Sequence, residues 1–220
     1  MKMLKKLALL LVAAGMMFTS AQARQAQKFS DVDANYWAYT EIAAVVNDGV
    51  MDTDGKAFRP EDPVARVCFV KSLLKVLGHD ATKATVKNPF KDVTKDTKGY
   101  EDILKSEQLG LVYGYPSGNF LPEKTMTKAE VTSVMSHITK DTAKNLSVLN
   151  QFADKAQIPG WDKLQYAKAV SLGLYVNHPD EAYLEPNREI TRAEAAVLLY
   201  RLKYAIGLVK DQYKAENLTT

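Results

Sequence analysis

The chain repeats itself three times after its leader, and that constant period constrains the fold more than any single motif. The copies start at Phe29-Ser30-Asp31-Val32, Phe90-Lys91-Asp92-Val93 and Phe152-Ala153-Asp154-Lys155, 61 and 62 residues apart. A fixed spacing of this kind marks one unit copied in tandem. A unit of about 60 residues sits near the lower size limit for folding alone, so the three copies are expected to share one core.

Each copy carries the same punctuation. Trp37, Tyr100 and Trp161 come first, then Gly49, Gly110 and Gly173, then the pairs Phe58/Pro60, Phe120/Pro122 and Tyr183/Pro186. A basic residue, Arg66, Lys128 or Arg192, lies six residues after each proline. In the last two copies the loop 114–120 aligns without a gap on the loop 177–183.

The second half of each copy reads as an amphipathic helix. Val131, Val134, Met135 and Ile138 fall at i, i+3, i+4 and i+7, as do Ala195, Leu198, Leu199 and Leu202. Thr127 with Glu130 and Thr191 with Glu194 form capping boxes at the starts of these two helices. The first copy has Ala65-Arg66-Val67-Cys68 there and lacks both capping side chains. Asp62 and Pro63 offer a substitute cap and first residue, which would start that helix earlier. Phe69, Leu73 and Val76 give it a buried face, and Gly78 suits its end.

The first half of each copy reads as a shorter helix ending at its glycine: 39–48, 101–109 and 162–172. The connectors near 79–88 and 137–150 are polar, the second long enough for another helical turn or two. No copy shows strand alternation. The expected fold is mostly α, with three tandem helix-loop-helix repeats at 29–78, 90–138 and 152–203 and a C-terminal helical extension at 204–220.

Residues 1–23 read as a signal peptide: Lys2, Lys5 and Lys6, an apolar run from Leu7 to Phe18, and the cleavage pattern Ala21-Gln22-Ala23. At about 1.5 Å per residue that run reaches roughly 18 Å, against the ~30 Å hydrocarbon core of a bilayer. An exported chain with no transmembrane segment after cleavage is expected. The three leader lysines account for the formal net charge of +3, which removes the electrostatic case for nucleic acid. Cys68 is the single cysteine, so no internal disulfide forms, and it reads as a small apolar core residue.

At this point the sequence resembles the S-layer homology (SLH) domain family. The resemblance rests on the Phe-x-Asp-Val starts, on Trp37-Ala38, on the run from Gly110 to Pro122, and on Thr127-Lys128-Ala129-Glu130 and Thr191-Arg192-Ala193-Glu194. It covers Phe29 to about Lys203. It implies three modules in a pseudo-threefold arrangement around a central helical bundle. It also implies inter-module grooves that bind an anionic cell-wall glycan, either a secondary wall polymer with pyruvylated amino sugar or a modified peptidoglycan.

Elementary chemistry points the same way. A cation in the first turn lies next to a helix N-terminus whose free amides and dipole favour an anion. Arg66 and Arg192 can hold a carboxylate in a bidentate fork, whereas Lys128 offers a point charge, so its groove is expected to be weaker or differently selective. Trp37, Tyr100 and Trp161 read either as sugar platforms or as packing residues. Asp31, Asp92 and Asp154 are candidate ligand contacts through the resemblance and turn or capping residues by their chemistry. Three weak sites facing a repetitive polymer would gain by avidity.

Other signals are weaker. Asp52-Thr53-Asp54-Gly55 suggests a calcium loop, but Val50 would occupy the first ligand position, so it reads as a turn. His79, His137 and His178 lack partners at metal spacing and read as exposed. Glu130 and Glu194 read as capping residues rather than a hydrolase pair, and no nucleophile motif is present, so no catalysis, metal or cofactor is expected. Leu199, Leu202, Ile206, Val209 and Tyr213 form a short heptad-like stripe, spanning two heptads, that packs back on the domain, pairs two copies of the chain, or docks an envelope protein partner. No cargo domain is expected after the third copy. The expected function is a non-catalytic protein of the cell wall, cell surface or periplasm that binds wall glycan. The alternative is an envelope protein-interaction scaffold with degenerate grooves.

Overall fold

A computed structural model describes residues 29–79, 84–140 and 145–215. The proposed signal peptide at 1–23 lies outside the described residues. Six α-helices, two per copy, account for most of the regular structure: α1 (Tyr39–Asn47), α2 (Arg66–Val76), α3 (Tyr100–Gln108), α4 (Lys128–Ile138), α5 (Lys163–Ser171) and α6 (Arg192–Tyr204). Among the described residues β-structure is confined to isolated bridges. The connector before the third copy forms a 3-10 helix at Leu146–Gln151.

The helices end where the sequence places stop signals. Gly49, Gly110 and Gly173 take left-handed φ values of 70°, 65° and 72° just past α1, α3 and α5, a conformation without steric cost for glycine. Both capping boxes form, with the Thr127 and Thr191 hydroxyls accepting from the Glu130 and Glu194 amides and both carboxylates accepting in return.

The second helix of each copy packs on the first helix of the next: α2 on α3, α4 on α5, and α6 back on α1. Hydrogen bonds follow the same order. The amides of Val64, Met126 and Ile190 donate to the carbonyls of Ile190, Val64 and Met126, closing a triangle through all three copies. Val67, Ala129 and Ala193 donate to the carbonyls of Pro122, Pro186 and Pro60. No copy satisfies its own backbone at this position, so the unit that folds is the ring of three.

Three expectations need correction here. Helix α2 does not start at Asp62 and Pro63; it starts at Arg66 with Ala65 uncapped by any side chain. Its first amides donate instead to Lys124 and Pro122 of the second copy, and that partner removes the need for a local cap. Cys68 is exposed, because the buried face of α2 runs through Val67, Phe69, Val70, Leu73 and Leu74. The heptad-like stripe is divided: α6 stops at Tyr204 and the chain turns back in two 3-10 turns, Ile206–Leu208 and Asp211–Tyr213. Val209 and Tyr213 are buried, and Val209 bridges Thr139.

Candidate functional site: the seams between repeats

The three aspartates of the repeat starts hold one turn in each copy. Asp31 accepts from the amides of Phe58 and Arg59, Asp92 from Phe120 and Leu121, and Asp154 from Leu184 and Glu185, at 2.7–3.1 Å. Arg59, Leu121 and Glu185 have φ of 58°, 58° and 50°, a left-handed conformation costly for such side chains. Two charge-assisted bonds per carboxylate hold each strained residue in place.

This network also corrects the alignment of the copies. Leu184, fully buried, occupies the place of Phe58 and Phe120, while Tyr183 points outward. The 177–183 loop is therefore offset by one residue from 114–120. A second shift concerns the aromatics. The helix-opening bonds run from Ile42 to Ala38, Ile103 to Gly99 and Tyr166 to Asp162, so Tyr100 matches Tyr39. Lys98 then stands where Trp37 and Trp161 stand. Residue type and backbone frame disagree at this position, and the frame decides.

The basic residues lie at the seams, each reaching into the following copy. Arg66 donates to the Tyr113 carbonyl and lies over the rings of Tyr115 and Phe120 at 5.1 and 4.7 Å. Arg192 donates to the Phe58 and Asp52 carbonyls, both at 2.7 Å, over the Phe58 ring. Lys128 is 2% exposed, with its Nζ 3.4 Å from Glu194 and 3.7 Å from Glu185. Those distances make it an ion pair rather than a well-formed hydrogen bond. Burial lowers the proton affinity of the Lys128 amine and Glu194 opposes that shift. Glu194 is shared with Arg188, whose Nη2 lies 2.5 Å away.

The helix N-termini beside these cations are not open to a ligand. The amides of Arg66, Lys128 and Arg192 donate to the carbonyls of Lys124, Arg188 and Asp62. The expectation of free amides is overturned, because carbonyl oxygens of the adjacent copy already supply the negative end. What remains for a ligand is the side chains and the clefts between copies.

Among the described residues, open clefts of this kind include the following two. One, of about 420 Å³, is lined by Asp52, Cys68, Lys71, Lys98, Asp102 and Arg192. Tyr100 does not line it; that ring packs partly buried against the core. The other, of about 790 Å³, is lined by Arg66, Tyr113, Tyr115, Glu130, His137 and Trp161. Trp161 is 67% exposed, and Arg66, 5% exposed, keeps its Nε buried without a hydrogen-bond partner. Trp37 is covered by His178 of the third copy. The structure thus brings Arg66 and Trp161 together, separates Arg192 from Tyr100, and turns Lys128 onto internal carboxylates.

The remaining candidates fall into place around these seams. Asp52 pairs with Lys71 at 2.7 Å, and Asp54 lies in a turn bridged to Ala57. His79 and His137 are half-buried, correcting the expectation of exposed histidines: His79 Nε2 meets the Tyr213 carbonyl and His137 Nε2 the Tyr213 hydroxyl. His178 is exposed apart from its stack. Among the described residues no helix is long and apolar enough to cross a membrane.

Parts of the sequence match known proteins. The model of the S-layer homology domain matches residues 28–66 and 89–132. Over these two segments the chain is similar to the S-layer homology domain. The third copy lies outside the matched segments and shares the aspartate-held turn, the capping box and the seam cation described above. Relatives include an endoglucanase of Bacillus sp. (strain KSM-635), 26% identical over 90% of this chain and 21% of that protein. A surface-layer 125 kDa protein of Lysinibacillus sphaericus is 25% identical over 82% of the chain and 15% of its own length. A cellulosome-anchoring protein of Acetivibrio thermocellus is 27% identical over 51% and 26%. The chain spans a quarter or less of the length of most of these relatives.

Proposed function

We propose that this protein is a non-catalytic envelope protein that binds an anionic cell-wall glycan in the clefts between its repeats. The observation that carries the reading is the Arg66 cleft, where a guanidinium from the first copy, tyrosines from the second and the exposed Trp161 of the third line one cavity. A flat indole suits a sugar face, and a guanidinium with an unpartnered Nε suits an acid substituent. The Arg192 cleft, with Lys71 and Lys98 beside it, is a second and more cationic seat. Tyr100 contributes by packing, and Asp31, Asp92 and Asp154 by holding the loops that carry the cleft walls. The cyclic order of packing and hydrogen bonds supports a pseudo-threefold arrangement of the repeats. Relatives named as surface-layer and cellulosome-anchoring proteins support a cell-surface location.

A protein-interaction scaffold is the second reading, favoured by the internal pairing of Lys128 and the covered face of Trp37. Sedimentation with isolated cell walls separates the two. Glycan binding predicts pelleting that falls when acidic sugar substituents are chemically removed and when Trp161 is replaced by Ala. Pelleting unchanged by both treatments would favour a protein partner, and soluble wall fragments in the supernatant would overturn the non-catalytic reading.

A further inference from the structure

Asp162 opens α5 directly after Trp161, in the N-cap position where a carboxylate ordinarily accepts from the amides of its own helix. It makes no such bond. The side chain is fully buried, and neither carboxylate oxygen has a hydrogen bond of good geometry, Ser133 making only a weak approach. The equivalent N-cap of the first copy is Ala38, also fully buried, so the site is built for an apolar group and the third copy places an acid in it. An ionised carboxylate there would be a buried charge without a partner.

The surroundings offer no compensating cation. Ser133 on α4 is the polar group that acts on Asp162, and burial outweighs it, lifting the carboxyl to about 7. Tyr166, one turn on in α5, is fully buried and feels the Asp162 charge. On α4, Lys128 is paired with Glu194, Glu130 with Lys124, and His137 with Tyr213. Lys168 of α5 donates to the Ser136 and Thr139 carbonyls, Lys163 is exposed, and the 3-10 segment Leu146–Gln151 carries no titratable group.

We infer that Asp162 is a positioning residue for the Trp161 cleft: protonated, it seats the start of α5 on α4, and ionised, it turns outward to cap α5 and shifts the indole. The bound proton leaves to solvent, and the carboxylate gains the α5 amides it now forgoes. Binding in this cleft therefore weakens as pH rises through neutrality. The coupling to binding rests on the glycan reading above; the movement of Trp161 does not.

The test uses intrinsic fluorescence. Trp37 and Trp161 are the two tryptophans, so a Trp37→Phe background isolates the Trp161 signal. Between pH 5 and 9 the emission should change with a midpoint near 7, and the change should vanish with Asp162→Asn or Asp162→Ala, the latter restoring the side chain of the first copy. A transition that persists in both variants, or none in the parent, overturns the inference. Wall pelleting over the same range should fall at least threefold above the midpoint in the parent and stay flat in Asp162→Asn. A fluorescence transition with pH-independent pelleting overturns the coupling. Pelleting absent at every pH would overturn the glycan reading, while the fluorescence transition would still decide whether Asp162 moves the indole.

Discussion

The imidazole of His178 lies flat on the indole of Trp37, with ring centroids 4.2 Å apart and planes 14° from parallel. The third copy thus covers the aromatic face of the first, and it also supplies Glu194 and Glu185, which hold the second copy's cation, Lys128. Wall binding should consequently tolerate Trp37→Ala within about twofold. Trp161→Ala should cost about tenfold, the effect of removing one well-placed aromatic anchor. Titration of both variants against isolated walls checks the contrast. Equal losses would mean that the stack opens to admit ligand.

Removing the repeat-start carboxylates should destabilise the fold in proportion to burial. Asp154 is buried and accepts from two amides, and Asp31 is exposed. Asp154→Ala should cost about 2–3 kcal/mol and Asp31→Ala about 1 kcal/mol, since a lost charge-assisted bond is worse where water cannot replace it. Urea unfolding of the two variants measures the difference.

Gly99 is a steric keystone between the first two copies. Its φ is 75°, and a Cβ there would lie 2.5 Å from Val67 Cγ2. Gly99→Ala combines a left-handed alanine with an overlap against the core, so about 2 kcal/mol or more of destabilisation is expected. Adding Val67→Ala should recover part of it if the contact is the cause; thermal unfolding of the double variant decides.

The C-terminal turns should loosen in acid. His79 and His137 are both pushed below the ordinary histidine value of 6.5, chiefly by burial. The unfolded chain then takes up protons first as pH falls through 6.5, so stability is full above that value and declines below it until the folded histidines also protonate. Both imidazoles meet Tyr213. Amide protection factors at 205–215, taken relative to the intrinsic exchange rate at each pH, should fall between pH 7 and 5, and much less so in a Tyr213→Phe variant, where the His137 contact is already gone.

Much of this architecture is legible in the residues. The period, the helix faces and both capping boxes follow from local chemistry, because Thr127 and Glu130 satisfy each other within one turn. The seam is not legible in the same way. The amide of Val67 finds its acceptor on Pro122, a partner that only the closed ring brings near, so the helix ends look free in the sequence. Residue type also misleads where the backbone frame decides: Tyr100 resembles Trp37 and Trp161, yet Lys98 holds their place. Asp162 is visible there only as a helix start, since an N-cap aspartate is ordinary until its carboxyl is found turned into the core.

The central claim is that wall glycan sits between Arg66 and Trp161. The most direct measurement follows the indole N–H resonances of Trp37 and Trp161 while acid-released wall glycan fragments are added. The account predicts a saturable shift of the Trp161 resonance, lost in Arg66→Gln, with Trp37 unmoved. A shift at Trp37 alone, or at neither indole while the fragments bind, would contradict it.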